Sequence, residues 1–157
     1  MPHIRNIVGS NPTNPIMKTY LLNWNPENWI WHDMQDGIKT VNTTGCYIRR
    51  WSCGNISKNP INIGDDIYLI KLGTETNGII ARGTCICPTY AGKHWGGIGR
   101  ANYIDIAFHD ISSDANPIIT VDELPIGVNW QNQSAQRIYD DQIIDQLDIL
   151  WYNKFLI

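Results

Sequence analysis

Phenylalanine is nearly absent from this chain: two residues in 157, against seven tryptophans. A core fills readily with Phe, whereas every buried Trp brings an N–H that needs a partner. A Trp-rich, Phe-poor chain is therefore expected to line a pocket with some of its indoles, although any single Trp is equally well explained as core filling. Charge is scarce as well, at 17% of residues with a net value of −3. This excludes broad, sequence-blind binding to nucleic acid by phosphate neutralisation, and leaves room for a local basic patch. No segment approaches the ~20 apolar residues of a membrane span. The N-terminal MPHIRNIVGSNPTNPI has no apolar stretch of the kind a secretory signal needs.

The four cysteines, at 46, 53, 85 and 87, match no common zinc spacing. A chain of this size needs no disulfide staples, and a cytoplasmic setting would keep the thiols reduced. Cys85 and Cys87 are expected to share one face of a strand and pack as small hydrophobes. Neither standard glycine-rich phosphate loop occurs, and no Ser sits in a nucleophile elbow. His94 and His109 have no triad or metal spacing. The pairs Asp65-Asp66 and Asp140-Asp141 are accounted for by turn chemistry and the helix dipole. No metal, no cofactor and no catalytic activity is expected of this chain.

What is present is enough apolar sequence for one core, 43% of residues. Residues 1–16, rich in Asn and Pro, are expected to be a disordered or non-native extension, with the domain spanning 17–157. KTYLLNW (18–24) reads as a strand, broken at Asn25-Pro26, and a helix is expected to follow through about residue 41. The chain runs extended near 45–52, and the stretch around 55–66 is a loop. DIYLIKLG (66–73) is a continuous apolar run, expected as a central strand buried on both faces. GIIARGTCIC (78–87) is its hairpin partner, followed by a long Gly-rich loop over 88–101. NYIDIAFHDI (102–111) alternates, with Ile104, Ile106 and Phe108 inward and Tyr103, Asp105 and His109 outward. An irregular stretch carries Trp130. Asp140 can cap a last helix with Ile143, Leu147 and Trp151 on one face. The class is α+β, a small curved, mostly antiparallel sheet or open barrel with flanking helices.

Trp24, Trp51 and Trp95 each sit at a strand end or in a loop, beside polar and glycine residues. A planar ligand held between indoles needs such rigid walls together with a few donors and acceptors at its edge. Stacking a base on an aromatic contributes ~1–3 kcal/mol, comparable with the few kcal/mol that extruding it from a duplex costs. Asn25 and Ser52 could read the ligand's edge, although Asn25 is equally suited to capping a helix. Arg49, Arg50, Arg82, Lys93 and Arg100 lie in or beside the same segments and could hold phosphates. Trp29, Trp130 and Trp151 read as core.

The ordered motifs W-N-P-x-x-W (24–29), R-x-W-S-C-G (49–54), G-D-x-x-Y-L-I-K-L-G (64–73, with one extra Asp), G-I-I-A-R-G (78–83), H-W (94–95), Y-x-D-I-x-F (103–108) and W-x-x-Q-S (130–134) together resemble EVE-like domains of the PUA superfamily. The resemblance covers about residues 17–151. It is nearest to the modules that precede HNH nucleases in modification-dependent restriction (defence) proteins. It implies a PUA-like fold and a stand-alone reader that flips a modified base into an aromatic cage: methylated or hydroxymethylated cytosine, or N6-methyladenine, in DNA in preference to RNA. By similarity to the related YTH domains, Asn25, Trp51, Ser52 and Trp95 would form the base-binding cage, and Trp24, placed at a strand end beside them, would add a third wall. Arg49, Arg50, Arg82 and Lys93 are expected to contact phosphates. No nuclease segment follows, so a separate nuclease or other effector is the expected partner. Ala135-Gln136 stands where many relatives have Ser-Gly. A small-molecule or nucleotide sensor, or a protein-docking module, is the alternative use of the same aromatic pocket.

Overall fold

DIYLIK, residues 66–71, is buried at every position. Consecutive strand residues point to opposite faces, so such a strand needs apolar cover on both. Ile67 and Leu69 enter one apolar cluster, and Tyr68 and Ile70 enter another. The computed structural model describes residues 16–54, 60–113 and 116–155. The expected N-terminal extension thus lies outside the described residues, apart from an exposed Ile16.

In chain order the elements are β1 (Thr19–Trp24), α1 (Met34–Thr44), β2 (Tyr47–Ser52), β3 (Asp66–Lys71), β4 (Gly78–Lys93), β5 (Arg100–Ile111), β6 (Ile119–Thr120), a 3-10 turn (Val121–Glu123), β7 (Gln136–Ile138) and α2 (Asp141–Phe155). Six strands form one sheet in the order β2-β5-β4-β3-β1-β7, and β6 pairs with β4. Only β1 and β3 run parallel; the remaining pairs are antiparallel. The fold is α+β, and the sheet does not close into a barrel. Register shifts in β4 near Arg82, Cys85 and Cys87 bend its sixteen residues. Met34 and Ile38 of α1 cover one face. Ile143, Ile144, Leu147 and Trp151 of α2 cover the other.

Three segments depart from what the sequence alone predicts. The first helix begins only at Met34. Trp29 and Trp31 both pack edge-on against Trp51, at 5.4 and 4.8 Å between ring centroids. Residues two apart on a helix do not share a face, so residues 25–33 must be turns. The stretch read as a loop over 88–101 is mostly ladder. β4 pairs on to Lys93 opposite Arg100, leaving only residues 94–99 as a tip. Tyr103, read as outward, is buried. Its hydroxyl donates to the Lys93 carbonyl and Gly92 leaves room for its ring. The last helix begins as expected, with the Asp140 Oδ1 accepting from the Gln142 N–H at 2.9 Å. The four cysteines are free thiols; Cys53 and Cys85 are fully buried while Cys46 and Cys87 are half-buried.

The largest correction concerns Arg82. It is 1% exposed, so it is not a phosphate contact. Its Nη2 donates to Asp66 at 2.7 Å and to Asp148 at 3.0 Å, its Nε donates to Asp66 at 3.1 Å, and Tyr68 donates to Asp148 at 2.6 Å. Burial is the strongest single influence and opposes the guanidinium charge. Asp66, helped by Tyr68 and Asp148, more than offsets it and holds the group above its ordinary pKa. Arg82→Met strips Asp66 of its cation inside the protein, and the loss of a buried partner typically costs about 3–5 kcal/mol. Urea unfolding of this variant should show a destabilisation of that order. A surface phosphate contact would instead leave the midpoint unchanged.

Candidate functional site

β1 and β2 are separated by three strands in the sheet. In a flat sheet four strand spacings span ~19 Å. Yet the Trp51 Nε1 at the end of β2 donates to the Asn23 carbonyl near the end of β1, at 3.0 Å. The sheet is curled until these two strand ends are joined through an indole. A cleft of about 550 Å³ opens there.

Its inner wall is aromatic and interlocked. Trp51 is buried, with Trp29, Trp31 and Phe108 set nearly edge-on or tilted around it. Trp31 in turn meets Trp24 edge-on at 5.6 Å. The Trp24 Nε1 donates to the Trp29 carbonyl at 3.0 Å, which fixes the 25–33 turns to β1. Trp24, Trp29 and Trp51 reach the cleft surface. Trp95 approaches from the β4–β5 hairpin. It is 41% exposed, and its ring lies 4.7 Å from the ring of His94, whose Nδ1 accepts from the Gly96 N–H.

The polar lining comes from Asn23, Asn25, Asn28, Ser52 and the 133–135 segment, Gln133-Ser134-Ala135. The Asn25 Oδ1 accepts from the Glu27 N–H at 3.0 Å, and its carbonyl accepts from Asn28 and Trp29. Asn25 is therefore a turn former as well as a lining group. Its amide lies against Gly73, where φ is +74° and a Cβ would stand 2.5 Å from the Asn25 Nδ2. Ser52 is half-buried at the end of β2.

The cations divide into two groups. Arg49 lines the cleft but is ion-paired with Asp33 at 3.1 Å. Tyr47 also donates to that carboxylate, and the Arg49 guanidinium lies 5.0 Å from the Trp29 ring centroid. Arg49 thus braces Trp29. Arg50 lines the cleft with its guanidinium 4.4 Å from the ring centroid of Tyr103. Lys93 is exposed on the hairpin and is not part of the cleft wall. Among the described residues neither Arg50 nor Lys93 has a carboxylate within ion-pair distance.

Trp24, Asn25, Trp51, Ser52, Trp95, Arg49 and Arg50 are thus brought together, Lys93 stands outside the wall and Arg82 lies buried away from it. Trp29 was read as core and is a half-buried wall. Its signal was available: it stands two residues from Trp31, a spacing that no single helix face can bury. Trp130 and Trp151 are core, with the Trp130 Nε1 donating to the Pro125 carbonyl at 2.7 Å. No group of three or more His, Cys, Asp or Glu among the described residues is placed to hold a metal ion, and no helix is long and apolar enough to cross a membrane.

No protein-family model and no curated protein matches this chain. Among solved structures it is similar to a hypothetical protein from Leishmania major, with 13% identity and a TM-score of 0.51 over 88% of this chain and 97% of that one. A protein from Pseudomonas syringae aligns at 14% identity and TM-score 0.49, over 84% of this chain and 99% of that one. One from Agrobacterium tumefaciens aligns at 12% and 0.48, over 85% and 92%. The likeness to the Leishmania protein concerns the fold and extends over nearly the whole of both chains.

Trp51 and Trp95 should separate in stability. Removing an interlocked indole such as Trp51 typically costs about 3–5 kcal/mol, whereas a surface residue changes stability by about 0.5 kcal/mol or less. In thermal melts Trp51→Ala should unfold well below the wild type, and Trp95→Ala should melt within a degree or two of it. Equal midpoints for the two variants would contradict the interlocked wall.

Proposed function

We propose that this chain is an EVE-like reader of the PUA superfamily, its curled sheet being a PUA-like sheet. It binds nucleic acid, DNA in preference to RNA, by taking a modified base out of the helix into the aromatic cleft. The observation that carries the reading is the cleft itself: indoles from three separate segments line a space of about 550 Å³ that also holds three asparagines, a glutamine and two serines. That volume suits a nucleoside-sized ligand. A flat base stacked on such walls recovers ~1–3 kcal/mol per contact, which roughly offsets extrusion. The amide and hydroxyl groups then decide which base edge is accepted. Arg50 at the cleft and Lys93 and Arg100 on the hairpin are the cations open to phosphates. Arg49 serves by holding Trp29. The chain reads rather than cuts, and cleavage would belong to a separate effector. A sensor of free nucleosides would use the same walls, but it would have no need of Arg50 and Lys93 at the mouth.

Fluorescence anisotropy on the full chain tests this. The probes are short duplexes that are unmodified or carry 5-methylcytosine, 5-hydroxymethylcytosine or N6-methyladenine. One modified duplex should be preferred by about tenfold or more, and Trp95→Ala should lose the preference while staying folded. Three phosphate contacts predict a slope of log affinity against log salt of about −3, its magnitude falling by about one in Arg50→Ala. Equal binding to all duplexes overturns the reader. Tight binding of a free modified nucleoside with a flat salt dependence would establish the sensor instead.

A further inference from the structure

The tip of the β4–β5 hairpin combines three features that the folded protein does not need. Ile98 is 88% exposed there. Lys93 and Arg100, at the base of the tip, are directly opposed in register. Like charges in that position destabilise a strand pair, and among the described residues neither has a carboxylate within ion-pair distance. The tip is nevertheless held in shape. The His94 N–H donates to the Gly99 carbonyl at 2.9 Å and the Gly97 N–H to the His94 carbonyl at 2.8 Å. Gly97 and Gly99 take φ of +91° and +80°, which L side chains rarely adopt. A Cβ on either would meet nothing within 4 Å, so these glycines serve the turn and not the packing. One exposed isoleucine is ordinary on a protein surface. An apolar point on a hydrogen-bonded turn, with two unpaired cations at its base and a cleft-lining indole, Trp95, on the same tip, is not.

We propose that this tip is a wedge for duplex DNA. Ile98 enters the stack at the gap left by the base that has moved into the cleft, while Lys93 and Arg100 hold the flanking phosphates. The inference rests on the base-reading function and adds the form of the substrate, a paired duplex. Extruding a base leaves a hole in the stack, and proteins that distort DNA commonly fill or open such steps with apolar side chains. A single strand has no such hole. The wedge therefore acts on the cost of extrusion and not on recognition of the base.

The test uses the full chain, Ile98→Ser and Ile98→Leu. Each is titrated by anisotropy against duplexes carrying 5-methylcytosine, 5-hydroxymethylcytosine or N6-methyladenine, and against the same modified strands unpaired. On the duplex that the wild type prefers, Ile98→Ser should lose about tenfold in affinity. On the matching single strand it should stay within about twofold. Ile98→Leu should retain duplex binding, and both variants should melt with the wild type because the side chain is open to solvent. If the wild type keeps its preference for a modified base while Ile98→Ser binds the duplex unchanged, or loses equally on both forms, the wedge is overturned and the reader stands. If the wild type distinguishes no modified base, the reader fails and the wedge with it.

Discussion

The hydrogen bond from the Trp51 indole to the Asn23 carbonyl joins two strands that the sheet order keeps three strands apart. It can form only because the sheet is curled, and β4 supplies the curl through its repeated register shifts. Everything at the site depends on that closure. It brings the ends of β1 and β2 together, gives the 25–33 turns a wall to pack against, and leaves a cleft where a flat sheet would have an open face. The bond also satisfies the one polar atom of a buried indole. Trp51 is therefore first a structural element, and only its remaining surface is available to a ligand.

The opposite face explains why the curl has a fixed direction. There, Asp66, Arg82, Tyr68 and Asp148 form a buried ionic network under α2, with Trp151 edge-on to Tyr68 at 5.8 Å. Arg82 lies directly opposite Tyr68 in the β3–β4 pair and reaches Asp66 diagonally. A slip of one residue would turn these groups to the other face and leave a carboxylate buried among the indoles. Such a network adds little net stability compared with apolar packing. In this protein it makes the wrong register costly, and it commits one face of the sheet to α2. The face left for a ligand is the one bearing Trp24, Trp29 and Trp51.

Much of this was legible in the residues. The continuous apolar run at 66–73 marked a strand covered on both sides, observed at 66–71, and Asp140 marked the start of α2. The misreadings have physical causes. Arg82 is indistinguishable in sequence from a surface arginine, because its acids stand 16 residues before it and 66 after it. The hairpin at 88–103 was hidden by its glycines, which read as loop formers, whereas Gly92 is there to admit the Tyr103 ring. The 25–33 segment passed for helix because Asn25-Pro26 suits a helix start and a turn equally well. The cleft residues contributed by 133–135 carry no pattern that points inward; only the closure of the sheet brings them to the indoles.

The net negative charge of the chain weighs less against anion binding than its sign suggests. Several described acids are already paired locally: Asp33 with Arg49, Asp65 with Lys18, Glu123 with Lys154, and Asp66 and Asp148 sharing Arg82. The Lys154 ammonium, donating to Glu123, holds its carboxyl below the usual carboxylate range. Three cations without an acid partner among the described residues, Arg50, Lys93 and Arg100, lie on β2, β4 and β5, around the cleft and its hairpin. Screening confines exposed charge to ~8–10 Å at physiological salt. A phosphate approaching this end of the molecule is governed by those three cations, and by Asp105 opposite Arg50 in the β2–β5 pair, far more than by the net charge of the whole. An acidic protein can in this way present a basic mouth, provided that its acids lie elsewhere or are paired there. The burial of Arg82 and the bracing role of Arg49 are instances of that division, and they leave the open cations where a polyanion could reach them.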